Sequence, residues 1–87
     1  MIFVYDTHKS SLDQAKHGID FEKAQKIWDD REAILNAPAT SVTEERWLAI
    51  GKVEGRLYSA IYPHRGETIR LISVRPAHED EKEAYEG

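Results

Sequence analysis

The sequence predicts an α+β domain in which helices pack on one face of an antiparallel sheet, and three observations lead there. Residues 45–75 read as three antiparallel strands joined by two tight turns, Val53-Glu54-Gly55-Arg56 and Pro63-His64-Arg65-Gly66. Upstream, Phe21, Ala24, Ile27 and Trp28 recur at i, i+3, i+6 and i+7, one apolar stripe of a helix. The order is segregated, β-α-α-(β)-β-β-β-α, rather than regularly alternating.

Taken in order, Ile2-Phe3-Val4-Tyr5 is a β-branched and aromatic run that predicts a strand. Asp6 can cap a helix running to about His17, with Leu12 and Ala15 as its apolar contacts and Gly18 at its end. Asp20 caps a second helix carrying the stripe, which Asp29-Asp30 ends. Ala33-Ile34-Leu35 fits a short strand, and Asn36 to Thr43 reads as loop. Strands are expected over roughly 45–53, 57–63 and 67–75. On the last, Ile69, Leu71 and Ser73 face one way and Arg70, Ile72 and Val74 the other, the mark of a central strand. Pro76 stops it, and Ala77–Glu86 is a short C-terminal helix anchored by Tyr85.

A chain of 87 residues supports a single domain, 1–87, with a small core. It lacks cysteine, which excludes disulfides, thiolate nucleophiles and Cys-ligated metals. No apolar run approaches the length of a membrane span and no signal-peptide pattern opens the chain, so a soluble cytoplasmic protein is expected. The net charge of −4 is a property of the last helix: residues 76–87 carry all of it. Five of the six arginines, Arg46, Arg56, Arg65, Arg70 and Arg75, fall between residues 45 and 75. Guanidinium forks match phosphate geometry, so the sheet is a candidate anion-binding surface. His8, His17, His64 and His78 show no metal-ligand spacing, and neither a phosphate-binding glycine loop nor a nucleophile elbow is present. No metal site and no cofactor are expected.

The chain resembles the BrnT family of type II toxin–antitoxin toxins. The resemblance runs through Lys16-His17-Gly18-Ile19, Phe21-Glu22, Ala24, Glu45-Arg46-Trp47, Ile50-Gly51, Gly55-Arg56 and Tyr62. It continues in Arg65-Gly66, Ile69-Arg70, Ile72-Ser73, Arg75-Pro76-Ala77, Glu83 and Tyr85-Glu86. The departures are Tyr5 for Trp, Asp13 for Asn, Pro63-His64-Arg65 for a Thr-Glu-Arg turn, and Val74-Arg75-Pro76 for an Ala-Arg-Lys-type strand end. An acidic His78-Glu79-Asp80-Glu81 stands where the family carries basic residues. The resemblance implies a RelE-like fold: an antiparallel sheet with two N-terminal helices on one face and a short C-terminal helix. It also implies a metal-independent endoribonuclease of messenger RNA, neutralised by a BrnA-like ribbon-helix-helix antitoxin that alone would contact operator DNA.

That chemistry, attack of a ribose 2′-OH on the adjacent phosphorus, needs a base, an acid and a cation for the developing charge. Arginine keeps its proton, so Arg46, Arg65, Arg70 and Arg75 are charge-stabilising candidates by their match. His17 is the leading acid/base candidate because imidazoles titrate near neutrality, with Lys16 and Glu45 next. Lys9, Arg56, Trp47, Ser73 and Tyr85 are candidate RNA contacts. Structural roles compete with each: His17 could cap its helix, Arg70 could pair with Glu22 or Glu45, and Arg56 could be a solvated charge. The alternative readings are a degenerate toxin that binds its antitoxin without cleaving RNA, and a plain protein-interaction module.

Overall fold

The computed structural model describes residues 1–39 and 45–87. In chain order the elements are β1 (Ile2–Tyr5), α1 (Thr7–His17), α2 (Phe21–Ala24) continuing as a 3-10 turn (Gln25–Asp29), and β2 (Ile34–Ala39). There follow β3 (Arg46–Val53), β4 (Arg56–Tyr62), β5 (Thr68–Leu71), β6 (Ser73–Pro76) and α3 (Glu79–Glu86). The fold is α+β. Strands β2, β3, β4 and β6 form an antiparallel sheet in that spatial order, while β1 pairs in parallel with β5.

The parallel pair corrects the expectation of antiparallel strands only, and its cause lies at Ile72. The expected strand 67–75 is two strands. Ile69, Leu71 and Val74 are all buried, so the alternation slips by one residue between Leu71 and Val74. Val74 therefore faces the same side as Ile69 and Leu71, not the opposite one. A bulge of this kind bends a strand. Here it lets β5 pair with β1 while β6 continues along β4, with the Ile72 N–H still bonded to the Ile61 carbonyl at 2.9 Å. The expected loop from Asn36 is also partly strand, since β2 extends to Ala39; residues 40–43 of that loop lie outside the described residues.

Asp6 caps α1 by accepting from the His8 N–H, and Asp20 caps α2 by accepting from the Lys23 N–H, each at 2.8 Å. Leu12 and Ala15 do not anchor α1: Leu12 is 54% exposed. Hydrogen bonds hold this helix instead. Buried Ser10 accepts from the Phe21 N–H at 2.9 Å, and the Asp13 carboxylate accepts from the Val74 N–H at 2.9 Å, which lays α1 along the outer edge of β6. The stripe of α2 is buried as expected through Phe21, Ala24 and Ile27. Its contact with β3 depends on Gly51, where a Cβ would lie 3.0 Å from Ile27 Cγ2 and 3.3 Å from the Ile27 carbonyl oxygen.

Along β3 and β4, alternate residues enter two separate cores. Ala49, Val53, Tyr58, Ala60 and Tyr62, with Val74 of β6, meet the α2 stripe and the β5 side chains Ile69 and Leu71. Leu48, Ile50, Leu57 and Ile61 form the other face with β2, Ala77 and Tyr85 of α3. Helices thus lie on both sides of the four-stranded sheet, not on one face. The β3–β4 turn takes positive φ at both central residues, Glu54 (52°) and Gly55 (81°), the twist-matched hairpin geometry. Across the sheet, the buried Tyr62 hydroxyl accepts from the Asn36 N–H and donates to Asn36 Oδ1, both at 2.9 Å, pinning the irregular point of β2.

Candidate functional site

Helix α3 covers only part of its sheet face, and a groove of about 580 Å³ remains beside it. Its floor is apolar, from Leu48, Ile50 and Ile61; its polar walls are Arg46 of β3, Arg75 of β6, and His78, Asp80 and Glu81 at the start of α3. Residues 46, 48 and 50 share this face because they alternate along β3.

Arg75 already has a ligand in this groove. Glu81, only 8% exposed, receives a two-pronged ion pair, Arg75 Nη1 to Oε1 at 2.7 Å and Nη2 to Oε2 at 2.9 Å. The Ser59 hydroxyl (2.9 Å) and the His78 N–H (2.7 Å) also donate to Oε1. The Arg75 guanidinium, foremost, and these further donors hold the Glu81 carboxyl at a pKa of about 2. The fork expected to meet a phosphate meets a carboxylate of the same geometry.

A second hollow, of about 420 Å³, is lined by Glu45, Arg46, Pro63 and His64. Arg46 is a wall of both, and its Nη1 donates to the Glu45 carbonyl at 3.1 Å. Next to Arg46, Trp47 pairs across the ladder with Tyr62 at the end of β4. The following turn brings the Arg65 guanidinium over the Trp47 ring, 4.3 Å from its centroid. Stacking of this kind holds a guanidinium in place without neutralising it. Arg46, Trp47, His64 and Arg65 therefore lie at one end of the sheet, with Arg46 on the groove side and Trp47, carrying Arg65, packed against the opposite core.

The remaining candidates lie elsewhere. Arg70 is exposed on β5, opposite Val4 of β1, and lines neither hollow. It makes no ion pair with Glu22, Glu45 or any other described residue. His17 and Lys16 end α1, and neither reaches the groove or the hollow; Lys9 is exposed on the same helix. Arg56 is exposed beside the hairpin turn, lining a smaller depression with Lys82. Ser73 lies opposite Ile61 on the neighbouring strand, half-buried.

Tyr85 is committed to Asp30: its hydroxyl donates to Oδ2 at 2.7 Å, and that bond, foremost, pushes its pKa up to about 12. Asp30 Oδ2 also accepts from the Lys52 N–H at 2.8 Å, the main cause of the lowered Asp30 pKa. Sequence reasoning missed both Asp30 and Glu81 as anchors of α3. The usable signal for Glu81 was its position three residues after the helix cap, where a glutamate reaches back to the cap N–H.

Among the described residues, no three potential metal-ligating side chains converge, and no helix is long and apolar enough to cross a membrane. Residues 5–81 match the profile of the family described as "Ribonuclease toxin, BrnT, of type II toxin-antitoxin system". No curated protein matches the chain.

Proposed function

The chain belongs to the BrnT family of ribonuclease toxins of type II toxin–antitoxin systems, and from that premise we propose that it cleaves messenger RNA around Arg46 without a metal ion. The observation that carries this reading is the position of Arg46 as the wall common to two adjacent hollows at the end of the sheet. A phosphodiester lodged there would meet permanently charged donors on its non-bridging oxygens. The 2′-oxygen then bonds to phosphorus, the bond to the 5′-oxygen breaks, and a 2′,3′-cyclic phosphate and a 5′-hydroxyl result. Arg46 stabilises the added charge in that step, and Trp47 with Arg65 stacked on it, at the same end of the sheet, is proposed to meet the RNA strand as it continues past the site. The fold is read as RelE-like, and a BrnA-like ribbon-helix-helix antitoxin in the cytoplasm as the neutralising partner, through which alone the pair reaches operator DNA.

The test is cleavage of a single-stranded RNA by the purified chain. Arg46→Ala is expected to lower the rate about 10²–10³-fold with the fold intact. If Arg70→Ala abolishes cleavage and Arg46→Ala does not, the site belongs on the other sheet. A folded protein that leaves RNA intact from about pH 5 to 8 ends the enzyme reading. Such a result would favour the second reading, a toxin homologue that has kept antitoxin binding alone. The filled Arg75 fork and the three acids in the first turn of α3 support that alternative. Harmless expression together with co-purification of the antitoxin would identify it.

A further inference from the structure

We propose that Glu45 and His64, which line the smaller hollow together with Arg46, are the base and the acid of RNA cleavage. Glu45 takes the 2′-hydroxyl proton and His64 protonates the 5′-oxygen. The inference deepens the reading of the preceding subsection and rests on it. Its ground is the place where the β3–β4 ladder stops. Trp47 with Tyr62 is the last pair of that ladder. One step beyond it the register sets Arg46 against Pro63, and Glu45 and His64 are the next residue on each strand. The four residues brought to the ladder's end in this way are the four that line the hollow. Neighbouring strands run about 5 Å apart, so side chains rising from the two of them can flank one phosphoryl group with the Arg46 guanidinium beside it. In-line displacement asks for that arrangement: a base by the entering oxygen, an acid by the leaving one and a fixed cation between them.

The other titratable groups of the two hollows do not compete. Asp80 and His78 line the groove that Arg46 also walls, but at its far end. The Ala77 N–H bonds the Leu57 carbonyl at 3.0 Å, which sets the start of α3 beside the first residues of β4. From Leu57 to Tyr62 is about 17 Å of strand, out of reach of a phosphate held between Glu45 and Arg46. Glu81 is engaged by Arg75, Ser59 and the His78 N–H. The guanidiniums of Arg46 and Arg65 keep their protons. Among the described residues, no lysine or tyrosine lines the smaller hollow. A carboxylate is ionised and an imidazole can carry a proton at the same mildly acidic pH, the two states that the reaction needs at its start. The charged neighbours of His64 are Glu45 and Arg46 from β3, and Arg65 in its own turn, whose guanidinium lies over Trp47. Glu45 and His64 are both exposed, open to a strand of RNA.

The step balances without a co-reactant. The Glu45 carboxylate accepts the 2′-hydroxyl proton as the 2′-O–P bond forms, and the His64 imidazolium gives its proton to the 5′-oxygen as the P–O5′ bond breaks. The experiment is single-turnover cleavage of a short RNA from about pH 4 to 8, with folding checked by circular dichroism. It compares the wild type with Glu45→Gln, His64→Gln, His78→Gln, His17→Gln and His8→Gln. The wild-type rate should rise with pH as the carboxylate ionises and fall again as the imidazolium loses its proton. Glu45→Gln should lose the rising limb and His64→Gln the falling one, each with a loss of about 10²-fold in rate. Exposed His8→Gln should keep both limbs. An RNA whose scissile 5′-oxygen is replaced by sulfur, a leaving group that needs no proton, should rescue His64→Gln and leave Glu45→Gln impaired. Rescue of Glu45→Gln instead, or a limb lost only in His78→Gln or His17→Gln, overturns the assignment. If the wild type cleaves and both Glu45→Gln and His64→Gln keep its rate and profile, the pair is wrong and the ribonuclease reading stands. A folded but inert wild type overturns both.

Discussion

On one face of the four-stranded sheet, Ala49, Ala60, Tyr62 and Val74 close against Phe21, Ala24 and Ile27, and no member of that core is more than 7% exposed. On the other, α3 rests on Leu48, Ile50 and Ile61 and is tied down by a Glu81–Arg75 ion pair and a Tyr85–Asp30 hydrogen bond, with a groove left open beside it. Apolar burial is non-directional and insensitive to pH, so the first face supplies stability that does not change with pH. Ionic contacts are directional and titrate, so the second can be loosened selectively. A small domain has separated the surface that keeps it folded from the surface proposed here to meet a ligand.

Substitutions on the two faces can break that comparison. Phe21→Ala should have the largest effect, about 3–5 kcal/mol in urea unfolding. If it costs no more than a change at Glu81, the asymmetry is not real. Glu81→Gln should cost on the order of 2–3 kcal/mol, because it leaves the half-buried Arg75 without its counter-charge. Its pH behaviour is more diagnostic. The Glu81 pKa is depressed from 4.5 to about 2, so its contribution is complete above the ordinary carboxylate range and is lost as pH falls toward 2. Melting temperatures of the wild type should therefore drop more steeply through that acid window than those of Glu81→Gln. Tyr85→Phe should have the smallest effect, about 1 kcal/mol. Faster amide exchange confined to the end of α3, with α2 unchanged, would sharpen the distinction between the faces.

What could be read from sequence was local. Asp6 and Asp20 as helix caps, the Phe21–Ala24–Ile27 stripe, and the Glu54-Gly55 turn depend on neighbours within a few residues, and all four are present. The split at Ile72 was not legible, because the side on which Val74 falls depends on two different partner strands. Ser10 and Asp13 look like solvent-facing helix residues until their backbone partners, Phe21 and Val74, are known. At the site, matched residues gave Arg46, Trp47 and Arg65, which lie close in sequence or across a single hairpin. Arg75 was foreseen as a phosphate fork because nothing in a linear pattern reveals that Glu81, six residues on, occupies it.

The Asp13 carboxylate bonded to the Val74 N–H has a consequence for how these molecules tolerate one another. The outermost strand of an open sheet is a template on which a second chain can stack, and repeated stacking leads to fibrils. Here an anionic group occupies a donor that an incoming carbonyl would need, and a helix lies across the approach. A chain whose sheet edge is closed in this way offers its own copies one fewer place to stack.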